Sequence, residues 1–214
     1  MKKFFLFALA MAMTMAASAQ ITRNAKAGGG FAFCSGTNED GDTKSKPVGK
    51  IGAGFEYPLT ANFSVMPSLE FAMKGTKWTG SDEIYYEGYW FDVDIEETIS
   101  ILYVQMPIVG AYRLNLNDDW NLVAKAGPYF AFGIKGDCKI KASIDDVSDS
   151  EKYDFFEDED GKRFDVGIDA GLDFEYHRFV IGFEYERGFL SLVPTDDYDG
   201  IYNQAFYATI GYKF

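Results

Sequence analysis

The chain has 214 residues, the length of one large domain, and carries Lys+Arg 20 against Asp+Glu 33 for a formal charge of -13. So acidic a chain has no basic surface with which to neutralise phosphates, which sets nucleic acid aside as a partner. Hydrophobic residues make up 47% and aromatic residues 17%, with Phe 20 and Tyr 14 against Trp 3, an aromatic excess that the fold has to explain.

The first element is a leader. Lys2 and Lys3 precede an apolar run over residues 4–17, and the small residues Ala17 and Ala19 stand before Gln20. This is the pattern of a cleavable secretory signal peptide over residues 1–19, leaving residues 20–214 as a single domain. The apolar run is short for a spanning helix, and no Cys stands at the cleavage point, so neither a retained anchor nor a lipoprotein is expected. The longest later apolar stretch, residues 99–112, is interrupted by Ser100, Gln105 and Pro107, which leaves no candidate transmembrane helix.

Beyond residue 24 the apolar residues recur at every second position in eight runs of about ten, the period of strands with two different faces. Phe31 and Phe33 oppose Gly28, Gly30, Ala32 and Cys34 in the first. Ile51, Ala53, Phe55 and Tyr57 oppose Lys50, Gly52, Gly54 and Glu56 in the second, and Phe63, Val65, Leu69, Phe71 and Met73 oppose Ser64, Ser68, Glu70 and Lys74 in the third. In the fourth, Leu102, Val104, Met106, Ile108 and Tyr112 face away from Tyr103, Gln105, Val109 and Arg113. The fifth sets Leu122, Ala124, Phe130, Phe132 and Ile134 against Lys125, Gly127, Tyr129, Gly133 and Lys135. The sixth is the cleanest, with Phe164, Val166, Ile168, Leu172, Phe174 and Tyr176 against Asp165, Gly167, Asp169, Gly171, Asp173 and Glu175. Phe179, Ile181, Phe183 and Tyr185 oppose Gly182, Glu184 and Glu186 in the seventh, and Phe206, Ala208, Ile210, Tyr212 and Phe214 oppose Tyr207, Thr209 and Lys213 in the eighth.

Alternation alone fits a membrane barrel and a soluble lipid-carrying barrel equally. Volume separates them. Eight strands enclose a space that side chains only just fill, and the Phe, Tyr, Leu and Ile face is too bulky to point inward, whereas the Gly, Ala, Ser and charged face fits. The expected fold is therefore all-β, an eight-stranded antiparallel up-and-down transmembrane β-barrel. Its expected lumen holds an ionic network of Lys50, Glu56, Glu70, Lys74, Arg113, Lys125, Asp169, Asp173 and Glu184, structural because unpaired buried charge is costly. Links near residues 58–62, 115–119 and 177–178 are short, and those near 37–47, 78–97, 136–162 and 192–203 are long. Outer-membrane barrels alternate short periplasmic turns with long external loops in this way. Tyr57, Phe63, Tyr112, Trp120, Tyr176, Phe179, Tyr212 and Phe214 fall near the short turns and form an expected aromatic girdle.

The sequence resembles a known family in the signal ending Ala17-Ser18-Ala19-Gln20, the strand Tyr103-Val104-Gln105-Met106-Pro107, Ala126-Gly127-Pro128-Tyr129, Phe164-Asp165-Val166-Gly167 and the terminal Gly211-Tyr212-Lys213-Phe214. These look like the outer-membrane β-barrel (PorT-like porin) family of Bacteroidota. The resemblance spans essentially the mature chain. It implies a place in the outer membrane among lipid and lipopolysaccharide, and recognition of Phe214 by the barrel-insertion machinery; it supplies no catalytic residues and no cofactor. Gln105 departs from the carboxylate expected at its position, which weakens the ionic network on that strand.

Little else carries chemistry. His177, the only histidine, falls in a short turn away from the external rim, so a His-Ser-acid site is not expected. Cys34 and Cys138 lack metal-ligand spacing. Their strands sit on opposite sides of an eight-stranded barrel, and parity turns Cys34 inward and Cys138 outward, so only a loop folded over the mouth would allow a disulfide. The third long link carries Asp145, Asp146, Asp149, Glu151, Asp154, Glu157, Asp158, Glu159 and Asp160, and the fourth adds Asp196, Asp197 and Asp199. A solvated acidic surface is the plain reading. Divalent cations bridging to lipopolysaccharide phosphates are the alternative, although Phe156 occupies the first acidic position of an EF-hand register. The second link, with Tyr85, Tyr86, Tyr89, Trp90 and Phe91 ahead of Val93 and Ile95, reads as a hairpin continuing the third and fourth strands, whose edge is able to capture a partner strand or a glycan. The expected function is non-enzymatic, an envelope-structural or surface-interaction role through acidic and aromatic loops; a narrow conduit for water or small solutes is the rival.

Overall fold

The structure is a computed structural model that describes residues 21–35, 42–86, 89–144, 147–157, 161–193 and 200–214. The leader expected over residues 1–19 lies outside them. Ten strands are present: β1 (Thr22–Ser35), β2 (Asp42–Lys44), β3 (Lys46–Pro58), β4 (Phe63–Tyr86), β5 (Tyr89–Asn115), β6 (Trp120–Ile144), β7 (Val147–Asp154), β8 (Phe164–Tyr176), β9 (Phe179–Gly188) and β10 (Tyr202–Lys213). Eight of them form a ring in the order β4-β3-β1-β10-β9-β8-β6-β5, which β5 closes by pairing with β4. Every pairing is antiparallel. Closure leaves no open edge in the wall, and this is what allows strands to cross a membrane.

The two faces separate as the alternation requires. Ile51 is 60% exposed, Phe183 55% and Ile210 71%, while Tyr103, Tyr129 and Glu70 on the other face are 0% exposed. Large apolar residues pointing out all round the ring, with charges pointing in, invert the arrangement of a soluble protein and match a lipid-facing wall. At the short-turn end Trp120 stacks on Tyr176 with ring centroids 4.8 Å apart, and Phe179, Tyr212 and Phe214 follow in edge-on contacts of 5.3 and 5.1 Å. That is the aromatic girdle. His177 takes φ 53° in the two-residue turn between β8 and β9, where its exposed ring lies 3.4 Å from Asp119, so it is a turn residue.

The structure adds two features to the eight-strand expectation. First, β4, β5 and β6 run on past the ring at the long-loop end. β4 and β5 stay paired to Tyr86 and Tyr89, β6 follows β5 as far as Ser143, and the short strands β2 and β7 join the outer sides of β4 and β6. The result is a five-stranded sheet, β2-β4-β5-β6-β7, standing on one side of the mouth. Residues 76–86 alone give it roughly 30 Å along the strand at about 3.3 Å per residue. The third long link is thus largely strand, because β6 extends to Ile144 where a loop was expected from residue 136. Lys77 lies 2.7 Å from Glu96 across this sheet, and its hydrogen bond holds the Glu96 carboxyl below the ordinary carboxylate range.

Second, Leu102 pairs with Lys135 while its neighbour Tyr103 pairs with Gly133. One extra residue in β6 is a β-bulge, and it reverses the inside-outside parity of everything beyond it. Two sequence expectations fall here. Lys135, expected on the inner face, points out and is exposed; Cys138, expected to point out, is 1% exposed and turns inward.

Candidate functional site

The interior of the ring is the candidate site, and its chemistry changes in layers from the short-turn end to the mouth. Arg113, Glu56, Lys213 and Glu175 form the first layer. The guanidinium meets Glu56 at 2.7 Å and Glu175 at 3.1 Å, while the Lys213 ammonium pairs with Glu56 at 2.7 Å and also with Glu175. Two cations and two anions thereby close into a ring of alternating charge, and Ser64 donates to Glu56 at 3.0 Å.

Above it lies the central cluster, assembled from side chains that β1, β3, β4, β5, β6, β8 and β9 project toward the axis. Lys26 sits 2.8 Å from both Glu70 and Glu184. Lys50 pairs with Glu70 at 3.3 Å, with Glu186 at 2.8 Å and with Glu184. Lys125 joins Asp173 at 2.7 Å and Glu184 at 2.6 Å, and Lys74 reaches Glu186 at 2.7 Å. Gln105 bridges two carboxylates, its amide donating to Glu70 at 3.2 Å and to Glu186 at 2.8 Å. An acid at this position would have set a further negative charge beside two others; the neutral amide supplies donors instead.

A layer of tyrosines follows. Lys74 lies 3.8 Å from the Tyr129 ring centre and Lys50 lies 4.5 Å from that of Tyr207, cation–π contacts strengthened by the burial of both partners. The Tyr129 hydroxyl donates to Asp165 at 3.0 Å, Asn203 donates to Asp165 and to the Tyr103 oxygen, and the Tyr207 hydroxyl donates to the Met73 carbonyl.

The mouth is filled by an apolar plug. Cys34, Ile99, Ile101 and Cys138 from the wall pack with Phe155, which follows β7, and Leu192, which follows β9. Glycines make the room: a Cβ on Gly133 would lie 2.4 Å from the Phe156 ring, and one on Gly136 would lie 2.9 Å from it. The Lys162 amide donates to the Leu192 carbonyl at 2.7 Å, joining the two incoming segments, and the Asp154 carboxylate caps the turn by accepting from the Phe156 and Glu157 amides. The cysteines thus belong to one buried cluster although their strands stand on opposite sides of the ring. Parity had separated them; the bulge brings them together.

Each of the nine residues expected in the lumen faces inward: Lys50, Glu56, Glu70, Lys74, Lys125, Asp169, Asp173 and Glu184 are buried and Arg113 is partly so. Among the described residues all make ion pairs except Asp169. Sequence reasoning left out Lys26, Glu175, Glu186 and Lys213. The alternation already puts Glu175, Glu186 and Lys213 on the inner face, and one further step back from Gly28 puts Lys26 there. Of the acidic loop residues, Asp145, Asp146, Asp158, Glu159, Asp160, Asp196, Asp197 and Asp199 lie outside the described residues, as do the side chains of Tyr85, Tyr86, Tyr89, Trp90 and Phe91. Asp149 and Asp154 serve as local backbone caps.

A search among curated proteins finds no match. Among solved structures the chain is similar to Ail, the attachment invasion locus protein of Yersinia pestis, at 17% identity over 90% of this chain and 98% of that one, with a TM-score of 0.42. It is similar to Neisserial surface protein A at 8% identity over 90% and 97%, with a TM-score of 0.39. OprG of Pseudomonas aeruginosa is similar at 11% identity over 89% and 95%, with a TM-score of 0.35. The model of the outer membrane protein beta-barrel domain matches residues 5–214, which with the inverted wall places the protein in the outer membrane: the chain belongs to the outer membrane protein β-barrel domain family.

Proposed function

We propose that this protein is a closed, non-enzymatic barrel of the PorT-like kind whose work is done at the cell surface, through the sheet that stands on its mouth. The observation that carries the reading is the contrast between the two ends of the same strands. Inside the ring, paired charges, tyrosines and the apolar plug cross the lumen in successive layers. Outside it, β4, β5 and β6 continue as a five-stranded sheet that the barrel does not need for closure. Among the described residues no strand pairs with the far side of β7, nor with the side of β4 away from β5 beyond Thr79, so backbone donors and acceptors stand ready to take a partner strand. The leader over residues 1–19 sends the chain across the inner membrane, Phe214 is read by the insertion machinery, and lipid and lipopolysaccharide surround the finished wall.

The rival is a narrow conduit for water or small solutes, and the layered interior weighs against it. The surface role is tested by shortening the β4–β5 hairpin at the Thr79 and Glu96 pair. The shortened barrel is expected to keep its heat-modifiable gel migration while cells displaying it lose adhesion to protein-coated or glycan-coated surfaces. Unchanged adhesion would remove the sheet from the function.

A further inference from the structure

Between the charged ring at the short-turn end and the apolar plug, the inner wall carries the basic residues Lys26, Lys50, Lys74, Arg113, Lys125 and Lys213. The acids there outnumber them by two, and the two with no ion pair among the described residues are Asp165 and Asp169. Asp165 is served by neutral donors, the Tyr129 hydroxyl at 3.0 Å and the Asn203 amide at 3.2 Å. Asp169 is placed differently. It is 1% exposed and its Oδ1 receives no hydrogen bond. Its cross-strand neighbour on β9 is another acid, Glu186, whose oxygens are engaged by Lys50, Lys74 and Gln105. Its neighbour on β6 is Gly127, which has no side chain to offer. A carboxylate buried in this way is too costly to stand alone and has to be offset by a positive charge from outside the chain.

Asp169 lines a cavity of about 50 Å³ that reaches toward Lys213. Asp173, Ser68 and Thr209 add oxygen donors to its wall. Lys26 and Lys125 also touch the cavity, but Lys26 is held between Glu70 and Glu184, and Lys125 between Asp173 and Glu184. One water occupies about 10–15 Å³ of such space, so the cavity admits a small ion with a few waters and excludes a bulky organic cation. Oxygen donors suit a hard cation, and only one of the two acids without an ion pair, Asp169, lines the cavity, which suits a monovalent one. The acidic trio Glu70, Glu184 and Glu186 is a different place, already filled by the ammonium groups of Lys26 and Lys50. We propose that the lumen holds a resident alkali cation, sodium or potassium, on the Asp169 carboxylate.

The test is thermal melting of the mature barrel in detergent, at fixed pH and ionic strength with a chelator present, in sodium or potassium chloride against N-methylglucamine chloride. A ligand bound only by the folded state raises the melting temperature. The wild type is expected to melt several degrees higher with the small cations, and Asp169→Asn is expected to melt alike in all three salts. Equal wild-type melting, or a cation effect that survives in Asp169→Asn, overturns the site. Melting that follows pH but not the cation assigns the missing charge to a proton and overturns it too. Should Asp169→Asn fail to fold, the sodium-NMR linewidth decides on wild type alone: broadening by the protein that potassium relieves supports the site, and no broadening overturns it.

Discussion

Lys50 of β3 meets Glu186 of β9 at 2.8 Å, although β1 and β10 stand between those two strands in the ring. The pair spans the lumen. Lys50 also binds Glu70 and Glu184, so one ammonium ties a carboxylate of the neighbouring strand β4 to two carboxylates of β9 across the lumen and closes the middle of the barrel. The inner glycines permit this convergence: a Cβ on Gly52 would lie 2.5 Å from the Glu70 side chain and one on Gly171 would lie 3.0 Å from that of Lys125.

Replacing that ammonium leaves its three acids short of charge. Lys50→Met is expected to cost about 3–5 kcal/mol, the range for removing one partner of a buried pair. The measurement is the temperature at which the folded band on an unboiled gel converts to the unfolded one, and it should fall clearly relative to wild type. An unchanged conversion temperature would mean that the cluster does not hold the wall together.

The plug depends on the absence of side chains at two wall positions. Gly133→Val is expected to expel the Phe156 ring, whose nearest atom is 2.4 Å from where a Cβ would stand, and to free the segment around Lys162 and Arg163. Trypsin should then cut intact cells or proteoliposomes at Lys162 or Arg163 faster than in wild type. The barrel should still migrate as folded, because the ionic layers lie below the plug. Equal cleavage rates would show that the Phe156 seat does not anchor this segment.

The bulge in β6 makes its own prediction. With Cys138 turned inward at 1% exposure and Cys34 at 6%, a membrane-permeant maleimide should label neither thiol in the folded protein and should label them after heat unfolding. Deleting Ile134 removes the extra residue but keeps Cys138 opposite the inward Ile99, so Cys138 is expected to stay inward and unlabelled in the folded variant as well. Labelling of Cys138 in the folded wild type would contradict the observed register.

The wall was legible in the sequence because one rule, alternation with bulk outside, applies to every strand. The same rule identified Lys50, Glu70 and Glu184 as inner residues. It also put Glu175, Glu186 and Lys213 on the inner face although the expected network left them out, and Lys26 lies one step of two before Gly28 on that face. Cys138 was not legible, since a single extra residue in β6 inverts parity and leaves no mark beyond the glycines at 133 and 136. Phe155 and Leu192 were hidden for another reason: they enter from segments with no period, and their burial depends on space that only the closed ring defines. The outward sheet was visible over residues 78–97, where aromatics and alternation continue, but not over β7, whose Asp, Ser and Glu residues read as loop.

The central claim is that the lumen is closed by paired charge and plug together. Planar-bilayer recording of the purified mature barrel tests it most directly. The structure predicts insertion, verified by the heat-modifiable band, without a discrete conductance step. A reproducible step of fixed size, abolished when a bulky residue is placed at Gly171 or Gly52, would contradict it and make the protein a conduit.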